Sequence, residues 1–223
     1  MISIRPLSGI GEVRPGDDLA ALLLGALQTP PDHGSVLVVT QKVVSKAEAQ
    51  FVDLRSIEPS AEARRLSALT RKDARLVELV LRESSEVLRA VPDVLITRHR
   101  LGLVMANAGI DRSNLGERDS ERVLLLPRDP DASAQRIASR LRARFDRHVA
   151  VVISDSFGRP WRNGVVNVAI GAAGLPALLD RRGQLDRDGR VLEVTQVAVA
   201  DMVASAAGLL AGEGDEGIPA VLL

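Results

Sequence analysis

The chain has no cysteine and no tyrosine, and aromatic residues make up only 2% of it. Without cysteine there are no disulfides, no thiolate metal ligands and no cysteine nucleophile. Any bound metal must be held by oxygen or by one of three histidines, which puts hard cations such as Mg²⁺ or Mn²⁺ first. The scarcity of aromatics removes the stacking platform that single-stranded nucleic acid needs. Charge of neither sign dominates: 29 Lys and Arg stand against 29 Asp and Glu. No overall field therefore draws nucleic acid or an anionic membrane. The N-terminus, "MISIRPLSGIGEV", lacks the apolar core of a signal peptide, and no apolar run reaches membrane-spanning length. These absences predict a soluble cytoplasmic protein with no nucleic-acid or membrane partner.

What is present is an aliphatic core. Hydrophobic residues make up 46% of 223 residues, enough for one large domain or two small interlocked ones. Ile2 to Ile4 reads as a short strand. Pro15-Gly16 turns the chain, Asp17 can cap, and an apolar helix follows to about Leu27. Val36 to Val39 is a buried strand that runs into the polar residues Thr40, Gln41, Lys42, Ser45 and Lys46. From Pro59 to Ala90 the pattern predicts helix, with Val77, Val80, Leu81, Val87 and Leu88 on one face. "DVLITRHRLGLVMANAGIDRSN" reads as strand, turn, strand and loop, and "VLLLP" as another strand. A helix in "DASAQRIASRLRARF" sets Ile137, Leu141 and Phe145 against a solvated row of Arg136, Arg140 and Arg144. "HVAVVIS" is a strand. "RVLEVTQVAVADMVASAAGLLAG" is a strand and then a helix with Val203, Ala206, Leu209 and Leu210 inward, and a last strand closes the chain. Strands that follow strands favour an α+β fold, with mixed or antiparallel sheets and flanking helices, over regular βαβ alternation.

No phosphate-binding P-loop, dinucleotide fingerprint or nucleophile elbow is present. His33, His99 and His148 stand singly and read as surface or boundary residues. Four strand or helix ends, however, run into small and charged residues. They are "TQKVVSK" with Lys46, "NAGIDRSN" with Asp111 and Asn114, "SDSFGRPWRNG" with Asp155 and Ser156, and "AGEGDEGI" with Glu213, Asp215 and Glu216. Oxygen ligands from Asp111, Asp155 and Ser156 suit Mg²⁺, which keeps waters and takes substrate phosphates as further ligands. Nearby Lys and Arg would neutralise those phosphates, as phosphoryl transfer requires. Each loop alone is explained as well by ordinary turn chemistry, and spacing does not show that the four meet. Trp161 reads as a core or interface residue. Arg159 and Arg162 read equally as phosphate partners or as structural ion pairs.

In "GIGEVRPGDDL", "VLVVTQKVVSKAEA", "ANAGIDRSN", "VVISDSFGRPWRNG", "NVAIGAAG" and "VAVADMVASAA" followed by "GEGDEGIP", the chain resembles the coenzyme F420:L-glutamate ligases, or gamma-glutamyl ligases. The motifs are long, idiosyncratic and in order along nearly the whole chain. They match the free-standing form, without the nitroreductase-like domain of fused members. The resemblance implies a gamma-glutamyl ligase-like α+β fold in an intertwined homodimer, with sites near the subunit interface. It implies that GTP phosphorylates the lactyl carboxylate of a deazaflavin coenzyme precursor. The amine of L-glutamate then attacks the acyl phosphate, and further glutamate can be added through a gamma linkage. It implies Mg²⁺ or Mn²⁺, with K⁺ as activator.

Carried over residue by residue, the family's GTP contacts fall on Ile10, Gly11, Glu12, Val13, Gln41, Lys46 and Asn114. They continue on Ala211, Gly212, Gly214, Asp215, Glu216, Gly217 and Ile218. Its metal ligands fall on Asp111, Asp155, Ser156 and Glu213. Ser156 stands where some members have Thr, and Glu213 where some have Gln, so metal preference is open. Also open are the number of glutamates added, GTP against ATP, the exact acceptor side chain, and the roles of Arg98 and His99. Three other readings compete: a related acyl-phosphate ligase with another acceptor or amino acid, a nucleotide-binding regulatory module, and a metal-dependent phosphohydrolase.

Overall fold

A computed structural model describes residues 2–113, 115 and 121–223. Its main sheet has five strands in the order β1 (Arg5–Pro6), β12 (Ala220–Leu222), β2 (Val36–Thr40), β8 (Ala150–Arg159) and β9 (Arg162–Ala173). The β2–β8 pair is parallel and the other pairs are antiparallel. The sheet is buried on both sides, so its central strands are continuous aliphatic runs whose alternate residues feed two different cores. Leu37, Val39, Val151 and Ile153 face α1 (Leu19–Ala26), α2 (Gln41–Ala47) and α5 (Pro130–Phe145). Val38, Val152 and Val221 face α6 (Val199–Ala211) through Ala200, Ala204 and Ala207. The alanine face lets α6 lie close to the sheet.

A second layer of structure grows from the main sheet. β3 (Phe51–Asp53) pairs with β7 (Arg122–Leu124). Beyond them, α3 (Ala61–Thr70) and α4 (Ala74–Arg82) cover a sheet of β4 (Ser84–Val91), β5 (Val94–His99) and β6 (Val104–Ala106). A short ribbon of β10 (Leu179–Asp180) and β11 (Gln196–Val197) lies in an exposed excursion between β9 and α6. The fold is thus α+β with mixed and antiparallel sheets, as the strand order in the sequence suggested.

Several local expectations are corrected. The first strand is Arg5–Pro6 rather than Ile2 to Ile4. Asp18 caps α1 by accepting from the Ala21 N–H at 3.0 Å, while Asp17 accepts from the Arg14 N–H and closes the preceding turn. The helix expected through Ala90 ends at Arg82. It is broken at Arg71, which adopts a left-handed conformation, and restarts at the Asp73 cap. Val87 and Leu88 lie on β4, where hairpin pairing with β5 overrides the helical periodicity. Leu209 points outward and is 80% exposed. "RVLEVTQ" contributes only the first residue of β11, Gln196, and an isolated bridge from Val191 to Leu185. The arginine row of α5 is exposed as expected, with Arg136 paired to Glu48 and Arg140 to Asp18. Among the described residues, no helix is long and apolar enough to cross a membrane.

Candidate active site

The site forms where the main sheet meets the second layer. Directly after β2, α2 carries Lys42 and Lys46. Four residues apart, they project from one face. Both line a cleft of about 750 Å³. Lys46 is 5% exposed, and its ammonium is paired with the Glu12 carboxylate across the cleft wall. Gln41 is anchored beneath them: its Nε2 donates to Ser45 Oγ at 2.6 Å.

Asp155 does not follow the strand, as the sequence suggested; it lies inside it. β8 runs on through Arg159 and turns back into β9, with Asp155 opposite Val168 and Ser156 opposite Asn167. The ladder slips between Ile153 and Ser154, leaving Ile170 as an extra residue on β9. Such a bulge twists the strand locally and re-aims its side chains. It sits where β8 passes from buried sheet to cleft wall. Asp111 arrives from the other layer, after β6 and a tight turn. Asn107 and Ala108 both have positive φ there, at 51° and 52°. Asp111 then pairs its backbone with Leu124 in both directions. The fourth contributor follows α6. Gly212, at φ 70° and ψ −176°, occupies a region essentially closed to other residues and swings the chain into the loop that carries Glu213.

The charges are unequal in their surroundings. Lys42 Nζ lies 2.9 Å from Asp111 Oδ2 and 3.2 Å from Ser113 Oγ. Burial acts to raise the Asp111 carboxyl, but the Lys42 hydrogen bond, the Ser113 N–H and the Lys42 charge together hold it below its ordinary value. Asp155 goes the other way. Burial, opposed by the Ser156 N–H and reinforced by the charges of Asp111 and Glu213, pushes it up to about 7. The cleft thus holds a buried carboxyl that feels two further carboxylates, with Lys42 as a partial counterweight. Among the described residues, no three acidic or histidine side chains already close into a metal-holding cluster. An all-oxygen set with uncompensated negative charge fits a hard divalent cation that takes its remaining ligands from phosphates and water.

Every residue the resemblance assigned to GTP or metal lines this one cleft, apart from Asn114, which lies outside the described residues. Sequence reading missed Lys42 and Asn167 as cleft residues. Lys42 is one helical turn before Lys46, and Asn167 is a lone amide in the apolar run "VVNVAIGAA". Other readings fall away. His99 is fully buried in β5, with Nδ1 accepting from the Leu101 N–H and Nε2 facing Glu83 at 3.5 Å, outside the cleft lining. Arg98 pairs with Glu86. The Arg159 guanidinium turns back onto the carbonyls of Asn163 and Gly164. Trp161 is fully exposed at the hairpin tip, which excludes a core role in the single chain. Gly164 has the positive φ of a turn, whereas Gly158 continues β8.

The model of the F420-0:Gamma-glutamyl ligase family matches residues 9–223. The chain belongs to that family. It is 48% identical over 221 residues to the coenzyme F420:L-glutamate ligase of Methanopyrus kandleri, covering 99% of this chain and 86% of that one. It is 45% identical over 225 residues to the ligase of the same description from Methanothermobacter thermautotrophicus, covering 100% and 88%. The corresponding ligase of Methanocaldococcus jannaschii is 40% identical over 196 residues, covering 88% and 77%.

Proposed function

We propose that the cleft joins L-glutamate to the lactyl carboxylate of a deazaflavin coenzyme F420 precursor, using GTP and an acyl-phosphate intermediate. The observation that carries this reading is the meeting of Asp111, Asp155 and Glu213 with Lys42 and Lys46 in one cleft. Phosphoryl transfer asks mainly for positioning and charge neutralisation, and these side chains supply both.

In this reading the acceptor carboxylate attacks the γ-phosphorus, the bond to the bridging oxygen breaks, and GDP leaves. The glutamate amine then attacks the acyl carbon, loses a proton and expels phosphate. Lys46, held by Glu12, and Lys42, held by Asp111, bind phosphate oxygens. The Gly-rich segment 212–217 brings backbone N–H groups to the nucleotide. Asp111, Asp155, Ser156 and Glu213 would hold Mg²⁺ or Mn²⁺, which when bound supplies positive charge to the transferring phosphoryl group.

We also propose a homodimer. Leu178, Leu185, Val191 and Val194 in the excursion before α6, with Met202 and Leu209 on α6, are each more than half exposed. Apolar exposure concentrated in one stretch of chain is the kind that an interaction surface would cover.

The deciding experiment is a mass-spectrometric end-point assay with glutamate-free precursor, L-glutamate, GTP and Mn²⁺, with and without K⁺. One or two added glutamyl masses, lost without nucleotide or metal, are expected. Consumption of GTP with no mass shift would instead favour hydrolysis or another acceptor.

A further inference from the structure

The closing loop that carries Glu213 is exposed, and a ligand on such a loop is useful only if something fixes it. Asn167 does so. Its Nδ2 donates to Glu213 Oε1 at 2.8 Å. Since a carboxylate oxygen can only accept, this contact also sets which end of the amide faces Glu213.

Asn167 is itself held by a ridge of α6. Asp201 accepts from the Ala169 N–H at 2.9 Å, and Ser205 Oγ donates to the Asn167 carbonyl at 2.7 Å. One turn on is Gly208, in the last turn of the helix, where glycine is a poorer helix former than alanine by up to roughly 1 kcal/mol. A Cβ there would lie 2.6 Å from Asn167 Nδ2 and 3.0 Å from its Cγ. Residues 201, 205 and 208 share one helical face. That face grips β9 at residue 169, grips it again at 167, and then leaves space for the 167 side chain. Across the ladder, Asn167 stands opposite Ser156. The amide therefore spans the gap between the rigid strand pair bearing Asp155 and Ser156 and the loop bearing Glu213.

We infer that Asn167, seated in the gap left by Gly208, is a positioning residue that orients Glu213 toward the divalent cation. The inference rests on the metal-assisted reading of the cleft. By occupying Oε1, Asn167 leaves Oε2 of Glu213 to face the site. Groups that orient a ligand in this way typically contribute a factor of ten or more to metal affinity.

The test is titration of Mn²⁺ into nucleotide-free protein, with unbound Mn²⁺ read by electron paramagnetic resonance and melting in chelator as the control for folding. Asn167→Ala is expected to weaken Mn²⁺ binding by about ten-fold. Gly208→Ala, which favours the helix but intrudes on the amide, is expected to do the same. In a Glu213→Ala background, Asn167→Ala should have no further effect, because the group it acts through is gone. Parent-like Mn²⁺ affinity in both single variants would overturn the inference, as would an equal loss with and without Glu213. Failure of the parent protein to bind Mn²⁺ would overturn the metal reading and this inference with it.

Discussion

The ammonium of Lys42 lies 2.9 Å from Asp111, in the same cleft as the buried carboxyl of Asp155. A fixed cation beside ligands for a divalent metal does two opposed things. It helps neutralise a transferring phosphoryl group, and it competes for the negative charge that attracts the metal. Lys42→Met is therefore expected to lower kcat/KM by about 10²–10³-fold, the usual cost of one donor to a developing charge. Mn²⁺ affinity should be unchanged or raised. Steady-state kinetics and direct Mn²⁺ titration on the same variant check both halves.

Asp155→Asn should abolish metal-dependent turnover and leave the protein folded. In chelator it should also change the pH dependence of stability, and the sign follows from linkage. The folded-state pKa is about 7 and the unfolded value about 3.9. The folded state thus holds a proton that the unfolded state has released across that window. Stability from this group is fully present below about pH 4 and is lost as pH rises through about 7. Above that the ionised carboxylate costs on the order of a few kcal/mol. The Asn variant should lack this loss and melt higher than the parent at pH 8, by differential scanning fluorimetry. A parent melting curve flat from pH 5 to 8 would count against the buried, unneutralised carboxylate.

The turn that delivers Asp111 is strained on purpose of position. Ala108 is 1% exposed and has a φ of 52°, where a β-branched side chain fits badly. Ala108→Val is expected to destabilise the protein by at least ~2 kcal/mol through backbone strain and overpacking together. Turnover should fall even at temperatures where the variant stays folded, because Asp111 follows three residues later. Urea unfolding paired with kinetics separates the two effects.

The exposed apolar excursion predicts oligomeric state. A Leu185→Glu, Val194→Glu double variant places charge on two residues that are 62% and 85% exposed, so it disturbs little packing within one chain. Light scattering coupled to size exclusion should show a dimer for the parent and a lower mass for the variant. A monomeric parent would remove the dimer from the proposal.

Much of the fold was legible where one physical rule acted alone. The runs at Val36–Val39 and 150–154 are strands because they are buried on both faces, and the α5 and α6 segments are helices with one apolar side. Reading failed where tertiary pairing overrode local pattern. Val87 and Leu88 match a helix, but Val87 pairs with Thr97 on β5 and Leu88 is the extra residue where that ladder shifts register. β9 went unread because its hydrogen-bonding partner, the far half of β8, looked like a loop. The same error misplaced Asp155 at the end of a strand when it lies within one. It also hid Asn167, whose meaning depends on Glu213, 46 residues later.

The sequence by itself determined the chemistry available: oxygen ligands without thiolates, lysines and Gly-rich segments at element ends, and motifs specific enough to mark the ligase family. These are properties of residue type and order, and they survive without coordinates. Only the tertiary structure decided which of those groups meet. It set Lys42 against Asp111, turned the charge of Glu213 and Asp111 upon the buried Asp155, and excluded His99, Arg98 and Arg159 from the cleft. Electrostatic interaction and hydrogen bonding depend on distance in space, and distance between residues far apart in the chain is fixed only when the sheet and its helices close.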